Sequence, residues 1–361
     1  MSHQTMFNNK KVLITGHTGF KGSWLSIWMK ILGAEVIGIA LEPYSEKDNY
    51  VVSGLDKKIT SFYKDLRDFS SLKKIFQEHK PEFVFHLAAQ PLVRESYNNP
   101  KETLDVNIGG TVNVLECCRL IDSVKVIVNI TSDKCYDNKE WIWGYRENDR
   151  LGGHDPYSCS KAGSEIVTQA YRNSFFNPCD FINHGKSLSS ARAGNVIGGG
   201  DWRKDRIIPD CIRALEKNEP IIIRNSKALR PFQHVLEPLY GYLMLASKMA
   251  ENPKKYSGAW NFGPDEKNTK NIGILADSVI RNWGEGTRQH GIENNAPHEA
   301  NILRLNSTKS RVMLGVEPRW NFGRTVAATV DWYKKYTTQN MYHFCEQQIE
   351  SYLKTAIPMD N

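Results

Sequence analysis

The chain contains no apolar run of about 18 residues, the length a membrane-spanning helix requires, so no span is expected. It has no dense Lys/Arg run and no basic residues clustered with aromatics, which argues against nucleic acid as a partner. Its 7 cysteines are scattered, with Cys117 and Cys118 adjacent and no CxxC pair anywhere. No structural zinc site is therefore expected, no metal is called for, and the thiols read as the reduced set of a cytoplasmic protein. No internal repeat is visible. The opening stretch MSHQTMFNNKK is polar and runs straight into a strand, so no signal peptide is expected. Acidic residues are the minority charge, 40 against 47 basic, leaving a formal charge of +7. That excess is either a mildly basic surface or an attraction for an anionic substrate such as a nucleotide.

What is present is a chain of 361 residues, 40% apolar and 24% charged, able to bury a large core as two domains or one elaborated one. Its first half alternates short apolar runs with helical patterns. KKVLITG, AEVIGIAL, SFYKDL, PEFVFHLAA and VKVIVNIT read as strands. SWLSIWMKILG, FSSLKKIFQEH, the stretch from Pro100 to Ile121, and Ser160 to Phe175 read as helices. This alternation implies βαβ units and an α/β fold with a doubly wound, Rossmann-like parallel sheet. After about Asn195, glycine, proline and aromatics become more frequent. IIPDCIRALEKNEP and EPLYGYLMLASKMAE read there as helices, and EPIIIRN and GAWNFGP as strands. The expected division is a dinucleotide-binding domain over 1–190 and a smaller α/β substrate domain mainly over 191–361, with some chain crossing back. The second would close a cleft over the sheet's carboxyl edge.

TGHTGFKGSW places Gly16, Gly19 and Gly22 directly after the first strand and at the opening of the first helix. Backbone amides at a helix amino terminus favour a pyrophosphate, and glycine lets it approach closely. The acid that usually holds a ribose at the end of the second strand is missing. Ala40 stands there, Glu42 follows two residues later, and no arginine is near in sequence to hold a 2′-phosphate. NAD is therefore expected over NADP. Asp65, in KDLRD, is the candidate for an adenine contact, or else a helix cap.

NITSDKCY follows the fifth strand and puts Ser132, Asp133 and Lys134 at a strand's carboxyl end, where open parallel sheets bind ligands. PYSCSK gives Tyr157 and Lys161 four residues apart, one face of a helix. A lysine cation beside a phenol moves the phenol's pKa down from about 10 toward neutrality. The pair then suits removal of a proton from a hydroxyl whose carbon loses a hydride.

Taken together, TGHTGFKG, DL at 65–66, HLAAQ, VNIGGTVNVLE, TSDKCY, PYSCSK, GNVIGGGD, RPFQHV and STKSRVMLGVEPRW resemble the extended short-chain dehydrogenase/reductase family over nearly all of the chain. Within that family the nucleotide-sugar 4,6-dehydratases carry Thr-Asp-Glu where this chain has Ser132-Asp133-Lys134, and epimerases usually lack the acid and its charged neighbour. TGHTGFKGSW with SDKCY is most similar to the branch of dehydratases that acts on CDP-glucose. The resemblance implies NAD regenerated in every turnover, CDP-glucose as substrate, and a role in deoxysugar and lipopolysaccharide O-antigen synthesis. It also implies a homodimer, or a tetramer, with helices around 103–120 and 160–176 forming a four-helix interface.

Carried over by position, the resemblance implies a cofactor pyrophosphate against Gly19, Phe20 and Gly22, and adenine against Asp65 and Leu66. Leu87, Ala88 and Ala89 would line the cofactor, and Asn107 would brace the backbone beside it. Asn195 and Arg230 would hold the substrate diphosphate with help from Arg206, and Glu299 would reach the substrate ribose. Tyr157 would be the base at sugar carbon 4, Lys161 the ribose holder, Ser132 the donor to the forming ketone and Asp133 the acid. Lys134 occupies the place of the second base. It either is neutral before the elimination or holds a water and stabilises the enolate, and both readings stay open. The competing readings are another nucleotide-sugar 4,6-dehydratase, a 4-epimerase or decarboxylase, which needs no pair at 133–134, and a non-catalytic dinucleotide-binding or regulatory protein, which needs neither Tyr157 nor Lys161. A thiol enzyme using Cys135 or Cys159 lacks a placed activator.

Overall fold

The computed structural model describes residues 3–265, 268–291 and 302–356. Strands β1 (Lys11–Thr15), β2 (Glu35–Ala40), β3 (Thr60–Tyr63), β4 (Phe83–His86), β5 (Val126–Ile130), β6 (Ser187–Arg192) and β7 (Gly258–Asn261) form one 7-stranded sheet, in the order β3-β2-β1-β4-β5-β6-β7. Every pairing within it is parallel. Val12 and Ile14 of β1 and Val126, Val128 and Ile130 of β5 enter the core on one face, while Leu13 and Ile127 enter the core on the other. A strand covered on both faces has no polar side, which is why these segments read as unbroken apolar runs. The strand order reverses between β1 and β4, and a doubly wound sheet opens its ligand crevice at such a point.

The helices that position the site are α1 (Phe20–Ile31), α2 (Phe69–His79), α3 (Gly110–Leu120), α4 (Pro156–Ser174), α5 (Leu236–Glu251), α6 (Phe322–Lys335) and α7 (Met341–Lys354). Residues of α2 and α3 cover one face of the sheet, and residues of α1, α5, α6 and α7 the other. The second half of the chain therefore shares its core with the first, and it supplies β7 to the same sheet. On the outer side α7 closes over α1: Tyr352 meets Trp28 edge to face at 5.9 Å, and Cys345 Sγ donates to Asn49 Oδ1 at 3.3 Å.

Two helices differ from the expectation. The stretch from Pro100 to Ile121 is not one helix, because a π-helical turn, Asp105–Gly109, separates Pro100–Leu104 from α3. The wider turn carries Asn107, whose amide holds both the β4 loop and α4. Its Oδ1 accepts from Gln90 N at 2.7 Å, and its Nδ2 donates to Gln90 O at 3.0 Å and Ser160 Oγ at 2.8 Å. The 3.6-residue apolar pattern continues through this turn, so periodicity alone does not reveal it. Helix α4 begins at Pro156 rather than Ser160. Asp155 caps it, accepting from Ser158 N at 2.9 Å and Ser158 Oγ at 2.6 Å, and proline suits the first helical position. Tyr157 is thereby fixed in the first turn.

Candidate active site

The cleft begins where β1 ends. Gly16 has φ +77, and a Cβ there would meet Ala88 N at 2.8 Å. A Cβ on Gly22 would stand 2.0 Å from the Gly16 carbonyl oxygen, so the strand–turn–helix junction closes only with glycine at both places. Gly19 is the N-cap of α1, and the free amides of the first turn face the cleft. Thr15 Oγ1 accepts from Leu87 N at 3.1 Å and Ala88 N at 3.2 Å and bonds His86 Nδ1 at 2.7 Å, which shapes the facing wall. Burial, with Lys161 adding to it, pushes His86 down to about 3, so this imidazole is a neutral strut rather than an acid or base. The cradle and the open crevice beside it fit a dinucleotide.

At the far end, β3 pairs with β2 and Lys64 N donates to the Ala40 carbonyl at 2.8 Å, which brings Asp65 and Leu66 to the end of β2. The sequence showed no arginine near that point, but the fold supplies one. Arg67 lines the cleft there. Its guanidinium is engaged, with Nε 3.0 Å and Nη2 2.6 Å from the two oxygens of Asp65, and that arginine holds Asp65 below the usual carboxylate range.

The reacting end lies between β5, α4 and the loop after β6. Ser132 Oγ donates to Asp133 Oδ1 at 3.0 Å and accepts from Lys134 N at 3.2 Å, which starts a tight turn over Asp133–Cys135. Asp133 packs against Gly194 and accepts from Asn195 Nδ2 at 3.2 Å. Asn195, expected at the substrate diphosphate, lines the cleft but spends its amide on Asp133; it does so from a left-handed backbone, φ 53. Lys134 forms no ion pair with Asp133 or with any other carboxylate among the described residues. Arg206 is anchored by Asp201 at 2.6 Å.

The electrostatics correct one expectation. Burial pushes Tyr157 up to about 12, instead of a neighbouring lysine drawing it toward neutrality. Asp133 and Asp155 add to the rise, while Ser132 and Arg206 pull the other way. Lys161 is drawn down to about 8, by burial. Desolvation of the phenol outweighs the cations around it.

One cavity of about 500 Å³ is lined by Gly16, Gly19, Phe20, Gly22, Asp65, Leu66, Leu87, Ala88, Ala89, Ser132, Asp133, Lys134, Tyr157, Lys161, Asn195, Arg206 and Arg230. A second, of about 750 Å³, adjoins it and shares Arg94, Asn195, Asp205, Ile207, Arg230 and Phe232. Glu299 lies outside the described residues. Sequence reasoning missed Arg94, Arg67 and Lys21. Lys21 stands inside the glycine cradle and lines the cavity, with no hydrogen-bond or ion-pair partner among the described residues. Burial, then Lys161 and Arg206, draw it down to about 7. The one signal for it was a lysine between the second and third glycines. Cys135 is buried against Tyr136, Tyr145 and Leu303 and does not line the cleft.

The arrangement holds a phenol, an amine, a hydroxyl and a separate acid–amine pair around one space, with a dinucleotide cradle on one side and arginines on the other. Comparison with known proteins agrees with it. The family model described as GDP-mannose 4,6 dehydratase matches residues 13–329. The chain is 46% identical over 357 residues to the CDP-glucose 4,6-dehydratase of Salmonella typhimurium (strain LT2), covering 99% of each. Among solved structures, an epimerase from Methanothermobacter thermautotrophicus superposes with a TM-score of 0.77 at 22% identity, over 96% of this chain and 97% of that one. The dTDP-glucose 4,6-dehydratase of Streptomyces venezuelae, solved with NAD bound, gives a TM-score of 0.76 at 21% identity, over 90% of this chain and 97% of that one.

Proposed function

The chain belongs to the GDP-mannose 4,6-dehydratase family, and from that premise we infer that it is a hydro-lyase that converts CDP-glucose to CDP-4-keto-6-deoxyglucose and water. The observation that carries the reading is an acid–amine pair, Asp133 and Lys134, on the same cavity wall as Tyr157 and Lys161. A single oxidation or an epimerisation needs the second pair alone. The choice of CDP-glucose rests on the full-length similarity to the Salmonella enzyme.

The Gly16–Gly22 cradle, Asp65 and Lys161 would hold NAD, which would supply reversible hydride acceptance between carbons 4 and 6 of the sugar, so that no second redox partner is consumed. Tyr157 takes the proton of the carbon 4 hydroxyl as its phenolate, the minority form in a site whose burial raises it to about 12. Ser132 donates a hydrogen bond to the forming ketone oxygen. The ketone acidifies carbon 5, and Lys134 either removes its proton as the neutral amine or holds a water and stabilises the enolate. Asp133 gives a proton to the hydroxyl leaving carbon 6. Arg94, Arg206 and Arg230 suit the diphosphate, because guanidinium forks grip two oxygens at once. The adjoining cavity has the size for the nucleoside.

Among the described residues no helix is long and apolar enough to cross a membrane. The reading includes a cytoplasmic location, supported by free thiols throughout. It includes a homodimer through the helices around 103–120 and 160–176, supported by the exposure of Ile166 and Phe175 on that side, and a role in deoxysugar and O-antigen synthesis. The test is incubation of protein and NAD with CDP-, dTDP-, GDP- and UDP-hexoses. A 4-keto-6-deoxy product should form from CDP-glucose with no net reduction of NAD. A clearly higher kcat/KM for dTDP-glucose or GDP-mannose would overturn the substrate assignment.

A further inference from the structure

Two residues that this chemistry does not use, Glu165 and Arg192, form an ion pair directly behind the reacting groups. Each is 3% exposed. Arg192 Nε donates to Glu165 Oε1 at 2.9 Å and Nη2 to Oε2 at 2.8 Å. The same carboxylate accepts from Ser190 Oγ at 2.7 Å and from Thr131 Oγ1. The remaining guanidinium nitrogen, Nη1, donates to the Tyr136 hydroxyl at 2.7 Å and the Glu147 carbonyl at 3.0 Å. Tyr136 in turn donates to Asn261 Oδ1 at 2.7 Å. A buried ion pair adds little net stability over apolar packing, because desolvation offsets the attraction. A fully bonded one does fix a single arrangement of everything attached to it.

What is attached here is the catalytic stretch. Thr131 immediately precedes Ser132, and Tyr136 immediately follows Cys135, so both ends of Ser132–Cys135 hang from one pair. The third attachment is α4: Glu165 lies one turn beyond Lys161 and two beyond Tyr157, on the same side of the helix. Between the anchors, Asp133 has holds of its own in Ser132 and Asn195. Lys134 has none for its side chain among the described residues. Its place depends on the backbone that Tyr136 ends.

We propose that Glu165 and Arg192 are positioning residues with two separable arms, the Thr131 arm setting Ser132 for the oxidation at carbon 4 and the Tyr136 arm setting Lys134 for the elimination. The proposal rests on the dehydratase reading above. It is tested with Tyr136→Phe and Thr131→Val in single turnovers with CDP-glucose, following nicotinamide absorbance for the oxidation and entry of solvent deuterium at carbon 5 for the elimination. Ångström-scale misplacement of a reacting group costs on the order of 100-fold. Tyr136→Phe should therefore slow deuterium entry by about tenfold or more and leave the absorbance rise within about twofold, whereas Thr131→Val should slow the absorbance rise by about tenfold or more, with deuterium entry following it without a further delay because carbon 5 is acidified only once the ketone has formed. Thr131→Ser, which keeps the hydroxyl, should behave as wild type; it and Thr131→Val carry the test if Tyr136→Phe does not fold. A folded Tyr136→Phe variant that slows both steps equally or neither, or a folded Thr131→Val variant whose absorbance rise is unchanged or whose deuterium entry lags further behind it, overturns the two-arm proposal. A wild type that gives neither signal overturns the dehydratase reading instead.

Discussion

Tyr157 is a phenol that its surroundings hold protonated. Burial drives it up to about 12, and of the groups that oppose the rise Arg206 is a full charge. Arg206 is fixed in place by Asp201, so its field on the phenol is a property of the fold. Removing that charge raises the phenol further. Arg206→Gln is therefore expected to move the acid limb of the kcat/KM profile to higher pH, as a pH–rate series on CDP-glucose would register; a limb that stays or moves down removes Arg206 from this role. At this scale the sequence was readable where the lining of the cavity sits in a spacing. Tyr157 and Lys161 announced themselves by four residues and Ser132–Asp133–Lys134 by adjacency. The direction of the phenol's shift was not readable, because it depends on how completely the side chain is enclosed. Nor was the engagement of Arg67 by Asp65 at the end of β2, which depends on the β2–β3 register.

The elements bring those residues together through close contacts that tolerate no added atom. Gly194 follows β6, and a Cβ there would fall 1.8 Å from Asp133 Oδ2. Gly194→Ala must displace Asp133, and with it the bonds from Ser132 and Asn195. Turnover is expected to fall on the order of 100-fold while circular dichroism stays unchanged, since the substitution lies in a loop at the cleft. Full activity in the alanine variant would mean that Asp133 has room the structure does not show. Strands β1, β2, β4 and β5 were legible because burial on both faces writes itself as apolar runs, whereas β6, SLSSAR, was not read as a strand because its buried positions are largely serines bonded within the fold. The helix from Pro100 to Ile121 was misread as continuous because a π-helical turn leaves the apolar spacing intact. The Glu165–Arg192 pair was invisible for a different reason: the two residues sit on separate elements, and only the pairing of β5 with β6 aligns them with Thr131.

At the scale of the whole molecule, the region behind the sheet is held by a buried acid. Glu237, at the start of α5, accepts from Trp320 N at 2.8 Å, Arg319 N at 3.0 Å and the Tyr352 hydroxyl at 2.8 Å. Burial nonetheless raises it to about 7, against an ordinary value of 4.5. Its folded pKa lies above its unfolded one, so the folded state binds more protons between those two values. Stability from this group is present below the lower value and is lost as pH rises toward 7. Urea denaturation at pH 5 and pH 7.5 should show wild type losing stability over that interval, with Glu237→Gln losing less. Equal losses would put the dependence elsewhere. The same region has a consequence for synthesis. Helix α7 covers the outer side of α1, the helix whose first turn forms the nucleotide cradle, through Tyr352, with Cys345 bonded to Asn49. A ribosome delivers α1 early and α7 only after some three hundred further residues, a count fixed by their positions at 20–31 and 341–354. The cradle thus leaves the exit tunnel long before its backing exists. Nascent chains that have not yet delivered α7 should be unable to retain a dinucleotide.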